Sequence, residues 1–162
     1  ECIHKHFSGI QVDVDEIPSE IKEVWKSMSG ILKKFETPAT LSEKFISHPY
    51  LCYKGFVDCV SVHENSLTVI EWKNSDRVKR SIANTYDAPL QCTAYLGALN
   101  ATNFKRNPLK KGIIVVAYND GQSADLFELN NEELKMYWRL WCNRLQEYWI
   151  RYRDNTLTDD AI

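Results

Sequence analysis

A chain of 162 residues with 44% apolar and 26% charged side chains can bury a full core and is far from the composition of a disordered segment. A formal net charge of −2 gives no overall attraction for nucleic acid, so any phosphate binding has to come from local clusters. No stretch approaches the roughly 18–20 apolar residues of a membrane span, and five scattered cysteines without a C-x2-C spacing argue against a zinc knuckle or a disulfide framework. The thiols read as reduced and intracellular. The opening at Glu1, without methionine, reads as a trimmed piece whose parent carries an N-terminal part absent here.

Cys2, His4 and His6 near the start read as a chance cluster before a zinc site. Pro18-Ser19 opens a helix whose Ile21, Val24, Trp25, Met28, Ile31 and Leu32 form one apolar stripe, broken by Pro38. From Ala39 to Ile46 the period changes to two, with Leu41, Glu43 and Phe45 on one face. Glu43 then lies on an apolar face, which is costly for a lone carboxylate. Two readings stay open: an edge strand with a wet inner face, or a pocket shared with other acids.

Those acids stand in the next two apolar runs. Asp58 sits in Gly55–Val60, and Glu71 follows thirteen positions later in Val69-Ile70-Glu71-Trp72-Lys73. The intervening His63-Glu64-Asn65-Ser66 has the length that closes a β-hairpin, with strands at about Cys52–Val62 and Leu67–Lys73. Residues i and i+2 of a strand share a face, so Glu71 and Lys73 project together while Ile70 and Trp72 face away. Two carboxylates held together repel unless a cation lies between them, and an oxygen-rich pocket suits a hard divalent ion. This is the outline of a metal-and-lysine hydrolytic site.

Asn74, Ser75, Asp76, Arg77, Val78, Lys79 and Arg80 follow as a polar loop, either plainly solvated or guiding a phosphate backbone. Asp87-Ala88-Pro89 starts a helix, with Asp87 the candidate N-cap, and Gln91 and Tyr95 share one face of it at i and i+4. A second cationic cluster, Lys105, Arg106, Lys110 and Lys111, precedes the all-apolar run Gly112–Tyr118, which reads as a central strand covered on both faces. A short edge strand at Ala124–Leu129 and a long helix at about Asn131–Arg153 close the chain. The helix carries Trp138, Trp141, Leu145, Tyr148, Trp149 and Tyr152 at helical spacing, a stripe predicted to pack into the core rather than to stack on bases. The expected architecture is α/β: a central mixed sheet, with an antiparallel hairpin meander and a buried central strand, flanked by helices.

Gly55-x-x-Asp58, Glu71-x-Lys73 and Gln91-x-x-x-Tyr95, in this order, resemble the RecB-like branch of the PD-(D/E)xK nucleases. His48-x6-Gly55, Asp87-Ala88-Pro89-Leu90-Gln91 and Gly112–Tyr118 extend the resemblance to the mitochondrial genome maintenance exonucleases, over nearly the whole chain. The resemblance implies one nuclease domain over residues 1–162 with a restriction-endonuclease-like core. It implies Mg2+ or Mn2+ on Asp58, Glu71 and the Trp72 backbone carbonyl, with His4 a further ligand and Glu43 lining the site. Lys73 would position the attacking water and help deprotonate it, and Gln91 and Tyr95 would hold the substrate strand. Asn74, Ser75, Arg77, Lys79 and Arg80 would guide that strand. The implied activity is hydrolysis of single-stranded DNA ends or flaps by a monomer in mitochondrial DNA replication and repair, with no organic cofactor and no membrane. The alternative is a catalytically silent nuclease fold that binds single strands. Lys5, His6 and Phe7 depart from the acidic pattern that usually follows the family's histidine, and Glu71 stands where many members have aspartate.

Overall fold

The computed structural model describes residues 2–156 apart from Val14 and Glu16. Its centre is a five-stranded sheet in the order β1-β2-β3-β4-β5. The strands are β1 (Leu41–Ser47), β2 (Lys54–His63), β3 (Ser66–Ser75), β4 (Gly112–Tyr118) and β5 (Asp125–Leu129). The β3–β4 pair is parallel and the other three are antiparallel. A parallel pair needs a crossover, and this one carries helix α3 (Ala88–Ala101). The architecture is therefore α/β with a mixed sheet, as the sequence predicts.

Two apolar layers sandwich the sheet. On one face Val69, Ile114 and Val116 pack with Cys92, Ala98 and Leu99 of α3 and with Leu134 of helix α4 (Asn131–Arg153). On the other, Cys59, Ile70, Ile113 and Val115 pack with Phe7 of α1 (Cys2–Phe7) and with Met28, Ile31 and Leu32 of α2 (Lys22–Leu32). Every residue of β4 is buried because both of its faces are covered, which explains its unbroken apolar run. The β2–β3 hairpin closes on Glu64 and Asn65, both at positive φ (47° and 59°), the turn whose twist matches its strands. The start of α4 is secured by a capping box. The Asn130 side chain accepts the Glu132 and Glu133 amides, and the Glu133 carboxylate accepts the Asn130 amide.

Several expectations need correction. Ile21 ends a 3-10 turn (Ser19–Ile21) rather than joining the α2 stripe, and is exposed. Asp87 precedes α3 but caps nothing with its side chain, because its carboxylate is drawn 2.6 Å from Arg144 of α4. Asn74 and Ser75 belong to β3, whose pairing with β4 runs on to Ser75–Tyr118. The aromatic stripe of α4 packs only in part. Trp141 meets Tyr53 and Trp138 stacks on His48, but Trp149 and Tyr152 are exposed, with rings at 5.1–6.3 Å from one another or from Tyr148. At ~1.5 Å per residue, the 23 residues of α4 outrun the 14 of α3. Spacing shows which residues share a stripe and not how far the neighbouring helix reaches.

The α3–α4 contact depends on Gly97, where an added Cβ would run into the Trp138 ring. Gly97→Ala gains helix propensity of about 1 kcal/mol but overpacks this contact. A net loss of about 1–3 kcal/mol in urea unfolding is expected.

Candidate active site

The site forms where the sheet stops pairing. The β2–β3 ladder ends at Cys59–Ile70, so the next two residues, Asp58 and Glu71, flank an opening between strands. Left without a β2 carbonyl, the Trp72 amide donates to Asp58 Oδ2 at 2.9 Å. β3 itself stays rigid because β4 pairs it through this region, Glu71 with Ile114 and Lys73 with Val116.

On the other side of β2, the β1 register runs from Leu41–Val60 to Ser47–Lys54 but skips the Glu43–Asp58 pair. Glu43 has a left-handed backbone (φ 46°), unusual for a residue with a side chain. The break also reverses the phase of both strands. Leu41 and Ile46, five apart, pack on the same cluster, as do Val57 and Val60, three apart. The simple alternation expected for β1 therefore fails at Glu43. Its side chain is 59% exposed, not set into an apolar face. It nevertheless lies close enough to Asp58 for its charge to push that carboxyl up.

Glu71 is the extreme group. Its side chain is 0% exposed; Oε2 lies 3.2 Å from Lys73 Nζ, and Oε1 is buried with no hydrogen-bond partner. Burial and then the neighbouring Asp58 charge push its pKa from 4.5 up to about 8, against the opposing pull of Lys73. Asp58 is raised too, mainly by burial, and the Trp72 amide partly opposes this. One ammonium faces a buried and a half-buried carboxyl, so the donor set lacks positive charge and has an oxygen free. A divalent cation fits that deficit.

α3 supplies the third wall. Gln91 Oε1 accepts from Lys73 Nζ at 2.7 Å, and Gln91 Nε2 donates to the Tyr95 hydroxyl at 3.0 Å. The i,i+4 spacing thus becomes a relay from Lys73 into the helix. Gly55 makes room for its end, since a Cβ there would lie 2.7 Å from Tyr95 Cε1 and 2.9 Å from its hydroxyl oxygen. His4 stands at the opposite margin in α1. Its Nδ1 shares a 2.9 Å hydrogen bond with Ser42 Oγ and lies 3.9 Å from Glu43 Oε2. Trp72 turns its indole to the far face, against Phe7 and Phe35.

Beside Lys73 opens a cavity of about 410 Å³, lined by Asn74, Ser75, Arg77, Lys79, Thr85 and Tyr86 among others. Arg80 is exposed but does not line it. The second cationic cluster is elsewhere: Lys111 leads into β4 beside Val69, towards the hairpin turn. Tyr86 is the residue the sequence candidates omit. It is 82% exposed at φ 53°, between a 3-10 turn and α3, and Lys79 Nζ lies 4.6 Å over its ring. An aromatic between a cationic loop and a helix start was a weak signal. Its exposure and backbone are visible only in three dimensions.

Known proteins are similar to this chain in sequence and in fold. The chain is 42% identical to mitochondrial genome maintenance exonuclease 1 of Mus musculus over 119 residues, 74% of this chain and 35% of that protein. It is 39% identical to the protein of the same name from Homo sapiens over 123 residues, 76% of this chain and 36% of that one. The chain is a homologue of the mitochondrial genome maintenance exonucleases. It spans about a third of their length. No family model matches. In fold it is similar to a Eubacterium rectale protein held to be an exonuclease, with a TM-score of 0.58 and 11% identity over 96% of this chain and 66% of that one.

Two outcomes follow from the geometry. A carboxyl whose pKa rises on folding binds its proton more tightly when folded, so ionising it removes stability. In chelator, the melting temperature should therefore fall as pH rises from about 5 to about 8, and the fall should be shallower in Glu71→Gln and with added Mg2+. Equal slopes in all three would contradict the strained carboxylate. Gly55→Ala should displace Tyr95 from its hydrogen bond with Gln91 and, by the same overpacking as at Gly97, cost about 1–3 kcal/mol in urea unfolding.

Proposed function

We propose that this chain is the nuclease domain, spanning residues 1–162, of a metal-dependent exonuclease that hydrolyses phosphodiester bonds at single-stranded DNA ends or flaps. Its place of work is the mitochondrion, in DNA replication and repair, in keeping with the names of its homologues. The observation that carries this reading is Glu71, a fully buried carboxylate with an unpartnered oxygen beside a second acid and a lysine. A fold with no use for such a group would gain by replacing it with an apolar one.

Asp58, Glu71 and the Trp72 carbonyl would hold Mg2+ or Mn2+, with His4 and Glu43 alongside. The ion would supply Lewis-acid stabilisation of charge building on the phosphate. Lys73, fixed between Glu71 and Gln91, holds the attacking water and assists loss of its proton. Gln91 and Tyr95 wall the reacting phosphate. Asn74, Ser75, Arg77, Lys79 and Arg80 track the backbone beyond it, and Tyr86 offers a ring to an unpaired base. A monomer suffices for all of these roles.

The test is cleavage of labelled single-stranded and duplex DNA with Mg2+, with Mn2+ and with chelator. The single strand should be lost in metal only, and Lys73→Ala or Asp58→Asn should slow this by about 10²-fold or more. Full activity in either variant overturns the assignment. Strand binding without cleavage, unchanged in Lys73→Ala, would instead establish the silent binding module. Tyr86→Ala should weaken single-strand binding by about 1–3 kcal/mol and leave the metal dependence as it was, as measured by fluorescence anisotropy.

A further inference from the structure

His63, Glu64 and Glu128 form a second group of potential metal ligands that shares no residue with the Asp58–Glu71 cluster. His63 ends β2, at the opposite end of that strand from Asp58's opening; Glu64 is the first turn residue, and Glu128 lies on β5 opposite Ile113. His63 shares its strand face with Cys59 and Glu128 shares its face with Ile113, so both are on the α2 side of the sheet.

The imidazole is the decisive group. His63 is 4% exposed, and its Nδ1 is buried without a hydrogen-bond partner. Glu128 Oε1 is its charged neighbour, at 3.9 Å, too far for a hydrogen bond. The Phe35 ring packs at 5.2 Å and fixes the imidazole plane. One ligand atom from each of the three residues lies within 4.8 Å of the other two. Glu64 holds a left-handed backbone, at a turn position where asparagine, aspartate or glycine is the easier choice. Lys110 and Lys111 share a cavity wall with Glu128, but neither forms an ion pair with it among the described residues.

We propose that these three side chains bind one Zn2+-class cation that fastens the hairpin turn to the edge strand β5. An imidazole nitrogen with two carboxylates is the donor set of a borderline ion; Mg2+ and Ca2+ favour oxygen alone. Three protein ligands leave a fourth position for water. Zinc bonds of about 2.0–2.2 Å place neighbouring ligand atoms roughly 3.4 Å apart, so the glutamates close by about an ångström on binding. Both are exposed and free to do so. The site holds the end of the sheet together and takes no part at Lys73.

The test is calorimetric titration with Zn2+ of the full chain carrying Asp58→Asn, which disables the other acidic cluster. One Zn2+ per chain and a raised melting temperature are expected. Adding Glu128→Gln or Glu64→Gln should weaken binding at least about tenfold, the loss that even outer-shell partners produce. His63→Gln should do the same; because His63 is buried, the two exposed glutamates keep the test valid if that variant does not fold. No Zn2+ bound to the Asp58→Asn protein overturns the proposal. So does Zn2+ binding that both glutamate variants leave unchanged, which would reduce the cluster to a His63–Glu128 ion pair.

Discussion

The structure depends on keeping one carboxylate, Glu71, in the dry centre of its sheet. β4 pairs with the backbone around it, α3 covers its face, and Asp58 stands beside it with like charge. Lys73 answers one of its oxygens and the other has nothing. A shift from 4.5 to about 8 corresponds to a few kcal/mol, at about 1.4 kcal/mol per pH unit, a sizeable share of a domain's net stability. The surroundings must be rigid to hold that strain, and they are: β4 is buried throughout, and Gln91 anchors Lys73 from the helix.

The same constraint explains why the sheet is broken where it is. A regular ladder through Asp58 would use the Trp72 amide in strand pairing and leave the acid to face a neighbour's backbone. Ending the β2–β3 ladder at Cys59–Ile70 frees that amide for Asp58 and opens room between the strands. Skipping the Glu43–Asp58 pair does the same on the other flank. Strained backbone at Glu43 and Tyr86 brackets the cluster, as strain commonly does at functional sites. The rest of the sheet compensates with full pairing and full burial.

Much of this was legible from residue order. Period two placed Glu71 and Lys73 together and Trp72 opposite, and the polar stretch His63–Ser66, read as a hairpin turn, brought Asp58 alongside; period 3.6 aligned Gln91 with Tyr95. These are local geometric rules, and β4 and α3 leave them no alternative. What stayed hidden depends on a partner distant in the chain. The phase reversal at Glu43 comes from the skipped pair with Asp58. Asp87 abandons its capping role because Arg144, 57 residues away, is the stronger partner. The exposure of Trp149 and Tyr152 follows from the shorter length of α3. His63 and Glu128 meet across two intervening strands that no pattern in either segment announces.

A net charge of −2 then sets a limit on how such a site meets a polyanion. The net charge of this chain would not draw in a polyanionic strand, and the acids at the centre would repel its phosphates. Attraction would have to be short-ranged and local, and the cavity beside Lys73 offers Arg77 and Lys79 on its wall, partly offset by Asp76. On the proposed reading, few cations at this cavity would release few counterions, and the electrostatic part of strand binding would be small and weakly salt-dependent. The remainder must come from contacts that salt does not screen. Tyr86, exposed at the rim of that cavity with its ring against Lys79, would provide one on the proposed reading. Stacking requires an unpaired base, which a duplex does not present. On the proposed reading, a surface of balanced charge with an exposed aromatic beside Lys73 would favour single strands without reading their sequence.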